Sequence, residues 1–135
     1  MEKQAYKVGD HHQSVFKIEA DTINKFAEVT GDKNPIHLDE NYAEKTLFKR
    51  RIAHGFLYGS FISKVLGTEF PGEGTVYLSQ SMTFLLPVYI SDLLTIDILV
   101  IESLPKNRLR LQTNIWNQNN ELVLKGEALV MKINF

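Results

Sequence analysis

The chain has 135 residues, 44% of them apolar and 23% charged, a size that suits one domain over 1–135 built on one core. It contains no cysteine, which excludes thiolate metal sites, iron–sulfur clusters, cysteine nucleophiles and disulfide frameworks. Fifteen basic residues against sixteen acidic ones leave a formal charge of -1, and apart from Lys49-Arg50-Arg51 the basic ones are scattered, so no nucleic-acid stripe is expected.

In chain order, the opening stretch carries Lys3, Lys7, His11, His12 and Lys17 with no continuous apolar run. Neither a signal peptide nor a membrane anchor is expected there, and the location implied is cytoplasmic. His11 and His12 read as solvent-facing residues ahead of a first strand at 14–18, where alternation begins. Asp21 then caps a helix on which Ile23, Phe26, Ala27 and Thr30 follow helical spacing, and Gly31 ends it. Pro35 disfavours the helical conformation at Asn34, so the segment from Asp32 to His37 is expected to be an irregular loop. A short helix is expected over 39–45.

A second helix is expected to begin near His54-Gly55 and run to Leu66, with Gly67 ending it. Leu57, Phe61, Ile62, Val65 and Leu66 make it apolar over much of its circumference, and such a helix must be buried. Gly59, Ser60, Ser63 and Gly67 lie three or four apart, so that side admits close helix–sheet packing or a slim ligand. From Thr75 onward β-branched residues accumulate, and the segments 75–86, 93–103, 108–116 and 121–133 read as strands. Typical strands run about five or six residues, so lengths near ten imply a long, curved sheet. In the third of these, Leu109, Leu111, Thr113 and Ile115 alternate with Arg108, Arg110, Gln112 and Asn114, which predicts one buried and one wet face. The class is α+β: a long curved antiparallel sheet wrapped around a central buried helix, the arrangement called a hot-dog fold.

The polar loop after the first helix carries the candidate chemistry. A carboxylate on Asp32 and an imidazole on His37, aimed into a narrow apolar space, can grip one water and raise its nucleophilicity. The plainer reading makes Asp32 a turn residue after Gly31 and His37 a solvated loop histidine. His54 reads as a buried histidine that fixes a helix start by hydrogen bonding. Asp32, His37, Asp39 and His54 offer metal-ligand atom types but lack a helical His-x-x-x-His spacing, and no metal is expected. Ser60 lacks the Gly-x-Ser-x-Gly elbow of a serine nucleophile.

Phe26, then Thr30-Gly31-Asp32-Lys33-Asn34-Pro35-Ile36-His37, then five residues and Ala43, fill every position of a known hydratase motif. On these residues the sequence resembles the (R)-specific enoyl-CoA hydratases of the MaoC-like hot-dog group. The resemblance continues through Arg50, Ile52-Ala53-His54-Gly55, Ser63, Pro71-Gly72 with Gly74, and Tyr77-Leu78-Ser79-Gln80-Ser81. Within that group it resembles the short bacterial hydratases that feed polyester synthesis. One departure is Arg51, where those enzymes often have proline.

The resemblance implies a hydro-lyase that adds water reversibly to trans-2-enoyl-CoA, giving (R)-3-hydroxyacyl-CoA. It implies no metal or redox cofactor, since CoA enters as part of the substrate. It further implies a homodimer or higher homo-oligomer with acyl-CoA tunnels at the interface. Asp32 is then the base for attack at the β-carbon, and His37 orients the water and delivers a proton at the α-carbon. Asn34 braces the loop or positions the water, and Ser63 sits close to the site. The backbone N–H of Gly55, at a helix N-terminus, meets the charge that develops on the thioester oxygen. Lys49-Arg50-Arg51 is either a solvated face or a contact for CoA phosphates. The alternatives are a 3-hydroxyacyl-ACP dehydratase acting on a protein-bound acyl chain, a non-catalytic acyl-thioester-binding module, and a thioesterase of the same fold.

Overall fold

A computed structural model describes residues 6–133. Its strands are β1 (His11–Lys17), β2 (Thr75–Phe84), β3 (Leu93–Leu104), β4 (Arg108–Trp116) and β5 (Leu122–Lys132). They form one five-stranded sheet in the order β1-β3-β4-β5-β2, with every neighbouring pair antiparallel. Four helices stand in the first half: α1 (Ala20–Thr30), α2 (Pro35–Leu38), α3 (Glu40–Glu44) and α4 (Gly55–Thr68).

Period-two burial explains the inner face. Leu94, Ile96, Ile98 and Val100 of β3 are at most 1% exposed, and Leu109, Leu111 and Ile115 of β4 continue the same surface. Against it α4 packs Leu57, Tyr58, Ile62, Val65 and Leu66, all in one cluster with the sheet residues. Each such side chain contributes about 1.5–3 kcal/mol by leaving water. That burial holds α4 in the concave side of the sheet, as its nearly all-round apolar sequence requires. The architecture is the hot-dog fold.

Several boundaries differ from expectation, for physical reasons. β1 starts three residues earlier than its alternation suggests, because His11 and His12 pair with Leu99 and Ile98 of β3. His12 is not simply solvent-facing: its ring stacks on Phe70 at 5.6 Å, and its Nε2 donates to Glu69 at 3.0 Å. Glu19, not Asp21, occupies the N-cap of α1, while Asp21 sits in the first turn and pairs with Lys25 at 2.9 Å. Gly31 does end that helix, in the left-handed conformation at φ 79° that glycine adopts without strain. α4 continues through Gly67 to Thr68, since its packing outweighs a single glycine. β2 ends at Phe84 rather than 86. Asn114, expected on the wet face of β4, is 9% exposed and accepts from Gly126 N at 3.3 Å.

The sheet has two edge strands, β1 and β2. Among the described residues the β2 edge and its exit are apolar as well as unpaired: Tyr77, Leu78, Phe84, Leu85 and Leu86 are all exposed, and so is Phe56 of α4. No helix among the described residues is long and apolar enough to cross a membrane.

Candidate active site

The segment after α1 is irregular from Asp32 to Asn34, as Pro35 suggested, but closes into a helical turn over Pro35–Leu38. Thr30 Oγ1 donates to Phe26 O at 2.7 Å and accepts from Asp32 N at 3.2 Å, which turns the chain just after Gly31. Asn34 Oδ1 then accepts from Ile36 N at 3.3 Å, capping the single turn of α2. Pro35 occupies the first helical position, where its missing N–H leaves no bond unmade. This turn carries His37 inward until it is only 9% exposed, while Asp32 and Asn34 stay exposed. Asn34 therefore braces the loop.

Two groups hold His37. Its Nδ1–H donates to Ile52 O at 2.7 Å, which leaves Nε2 as the nitrogen free to accept a proton. Arg51 Nε donates to His37 O at 2.6 Å, and its Nη2 donates to Asn24 Oδ1 at 2.8 Å, tying the turn back to α1. The residue that departs from the family pattern thus serves as a strut. Burial pushes the His37 imidazole below its ordinary value, and the neighbouring His54 and Arg51 act the same way; the Ile52 bond and Asp32 act against them. The ring is therefore held neutral near pH 7.

His54 occupies the N-cap of α4 and is 2% exposed. Its Nε2–H donates to Asp32 O at 2.9 Å, and its ring stacks on His37 with centroids 3.8 Å apart. The expectation that it fixes the helix start by hydrogen bonding does not hold: at the N-cap of α4 its side chain makes no capping bond, and what it ties down is the backbone at Asp32. Its Nδ1 is buried without a hydrogen-bond partner. Asp32, His37 and His54 each offer one ligand atom, and these lie within 4.8 Å of one another. The set does not make a metal cage: the two rings stack only 26° from parallel, so their in-plane lone pairs run side by side rather than converging on one ion, and His54 Nε2 already donates to the backbone. A single water fits instead, since hydrogen bonds of about 2.8 Å to each side span such a gap.

Gly55 begins α4, so its N–H has no carbonyl one turn back to donate to. It lines an apolar cavity of about 390 Å³ together with His37, Ile52, Tyr58, Phe84, Leu86 and Pro87. Burial pushes the Tyr58 phenol up to about 12, so it stays protonated. Ser63 lies elsewhere: it is exposed, two turns or about 12 Å along α4, in a separate groove with Ser60, Tyr77, Gln80 and Met82. The structure thus brings together Asp32, His37 and Gly55, with Asn34 as the cap, and leaves Ser63 apart within the chain. Sequence reasoning missed Arg51 as a strut and Tyr58 as a cavity wall; the apolar helix pattern hid Tyr58 among core positions.

A curved sheet around one helix, with an acid–imidazole pair beside the helix N-terminus, defines a hot-dog protein with an acyl-type cavity. Residues 5–123 match the family profile described as MaoC like domain, and the chain belongs to that family. It is 45% identical over 114 residues to a 3-hydroxybutyryl-CoA dehydratase of Methylorubrum extorquens, covering 84% of this chain and 73% of that one. It is 37% identical over 132 residues to an (R)-specific enoyl-CoA hydratase of Aeromonas caviae, covering 96% and 98%. The solved unliganded R-hydratase of Pseudomonas aeruginosa superposes with a TM-score of 0.93 at 43% identity, over 96% of this chain and 84% of that one.

Proposed function

We propose that this protein is an (R)-specific enoyl-CoA hydratase that interconverts trans-2-enoyl-CoA and (R)-3-hydroxyacyl-CoA. The observation that carries the reading is the approach of Asp32 and His37 within 4.8 Å beside a cavity that Gly55 opens. A water between them donates one hydrogen to the Asp32 carboxylate and the other to His37 Nε2, the free nitrogen of a neutral ring.

As the water oxygen bonds to the β-carbon, the enoyl π electrons move onto the thioester oxygen, where the Gly55 N–H meets the developing charge. Nδ1–H is committed to Ile52, so any proton that His37 gives the α-carbon is one it first takes from the water at Nε2. In this reading Asp32, expected from the resemblance to be the base, instead keeps the remaining O–H in place while His37 takes the proton. The π pair becomes the new C–H bond, and both side chains return to their starting state. Delivery of oxygen from this one side makes the product a single enantiomer.

The apolar, unpaired β2 edge supports a homodimer joined along that strand, since such an edge left in water invites pairing. Such pairing brings the Ser63 groove, lined by β2 residues, to the interface. The substrate partner is an acyl-CoA in the cytoplasm, with no further cofactor. The test follows loss of the conjugated enoyl absorbance of crotonyl-CoA and determines the configuration of the product. Asp32→Asn and His37→Gln are expected to lower kcat by about 10²–10⁴-fold each. Full turnover in either variant overturns the site assignment.

A further inference from the structure

Leu86 and Pro87 belong to the wall of the Gly55 cavity and also to that of a second cavity of about 260 Å³. This neighbour is polar where the first is apolar, and Arg50 lines it. The Arg50 guanidinium lies 4.1 Å over the centre of the Tyr89 ring. Tyr89 is itself fixed: its O–H donates to Phe48 O at 3.2 Å, and its N–H donates to Asp92 Oδ2 at 2.8 Å. Stacking on an aromatic face restrains a guanidinium while leaving its N–H edge open.

That edge has no carboxylate to meet, since none of the ion pairs among the described residues includes Arg50. The two acids of the cavity are engaged by neutral donors. Asp92 Oδ1 accepts from Gln118 Nε2 at 3.0 Å, and Glu121 Oε1 accepts from Asn117 Nδ2 at 3.0 Å. Of the basic run, Arg51 is spent on His37 and Asn24, and Lys49 does not line the cavity. One restrained cation therefore faces a polar cavity that shares a wall with the reaction cavity.

We infer that Arg50, held on Tyr89, is the contact for a phosphate of the CoA nucleotide, and so recognises the carrier rather than the acyl chain. The inference rests on the hydratase reading above. Because the two cavities share Leu86 and Pro87, a pantetheine arm that leaves a thioester carbonyl at Gly55 N–H along that wall would carry the phosphates toward Arg50. A guanidinium binds phosphate oxygens through parallel N–H···O bonds, and Arg50 is the cationic side chain among the residues that line this cavity.

The experiment compares crotonyl-CoA, crotonyl-dephospho-CoA and crotonyl-pantetheine with wild type, R50A and R50E. The ratio of kcat/KM for crotonyl-CoA over crotonyl-pantetheine is expected to fall about tenfold in R50A, through KM, and further in R50E. A penalty that persists with the dephospho substrate assigns the contact to the diphosphate; one that disappears assigns it to the 3′-phosphate. An unchanged ratio overturns the inference, whether both substrates lose rate equally or neither does. Calorimetric titration with CoA itself reads the site without turnover. Weaker CoA binding by R50A than by wild type supports the phosphate contact even if no hydration is found, whereas equal binding overturns it; absence of hydration by wild type defeats only the reaction assignment.

Discussion

Gly55→Ala tests the thioester contact most directly. A Cβ built at Gly55 stands 2.6 Å from Phe84 Cε1 and 2.9 Å from its Cδ1 and Cζ, against ordinary carbon contacts of about 3.5–4.0 Å. The ring must retreat by about 1 Å. It can do so, because Phe84 is 44% exposed and touches Tyr58 and Phe56 through loose aromatic contacts with centroids 6.0 and 6.2 Å apart. Overpacking of this kind costs about 1–3 kcal/mol, and the better helix propensity of alanine offsets up to about 1 kcal/mol. The fold therefore survives with a lower melting temperature. The methyl group and the displaced ring occupy the space beside the Gly55 N–H, where the thioester oxygen must sit. Loss of one such donor costs about 3 kcal/mol, or about 10²-fold in kcat. The assay is kcat at saturating crotonyl-CoA beside a thermal melt of the same preparation. A variant that keeps kcat within about threefold of wild type refutes the assignment of that amide to the oxyanion, whatever happens to its melting temperature.

The pH profile of kcat/KM is expected to keep its acid limb below the free imidazole value of about 6.5, because burial lowers the His37 pKa and the base must be neutral. Arg51→Ala removes a charge that acts in the same direction, so the limb moves to higher pH; a shift to lower pH contradicts the sign. Glu69 is held down to about 2, first by its hydrogen bond from Lys64 and then by that from His12. Since its folded pKa lies below the unfolded value, this stabilisation is present above about pH 4–5 and disappears as pH falls toward 2. Glu69→Gln is expected to cost about 1 kcal/mol at pH 7 after allowance for solvent screening of a partly exposed group. Urea titrations at pH 7 and pH 3 check it, because the difference between wild type and variant must narrow at the lower pH.

How far the sequence carried varies from element to element. The alternation of Leu94, Ile96, Ile98 and Val100 announces a strand with one face inside, because a period of two is itself the signature of half-burial. The left-handed end of α1 was legible in Gly31 for an equally local reason, and so was the spacing that sets Asp32 and His37 at either end of one short turn. Residue type alone left open whether that pair is catalytic or a plain turn residue with a solvated histidine, and it was the full motif from Phe26 to Ala43 that pointed to a catalytic role. By contrast, Pro35 carried two meanings: it opposes helix at the residue before it and favours helix at its own position. The hydrogen bonds of Asn34 and Ile52 settled which applied.

The sequence by itself determined the long strands and the buried helix and nominated Asp32 and His37 as the candidate pair, since local periodicity and motif spacing are properties of neighbours along the chain. Only the tertiary structure decided that His54 stacks beneath His37, that Arg51 ties the turn to Asn24, that Ser63 opens onto a different groove, and that Arg50 lies over Tyr89. Most of these contacts join residues 14 or more positions apart, as from Asn24 to Arg51 and from Arg50 to Tyr89. Their geometry exists only once the sheet has closed around α4 and placed the α1, α2 and β2–β3 segments side by side.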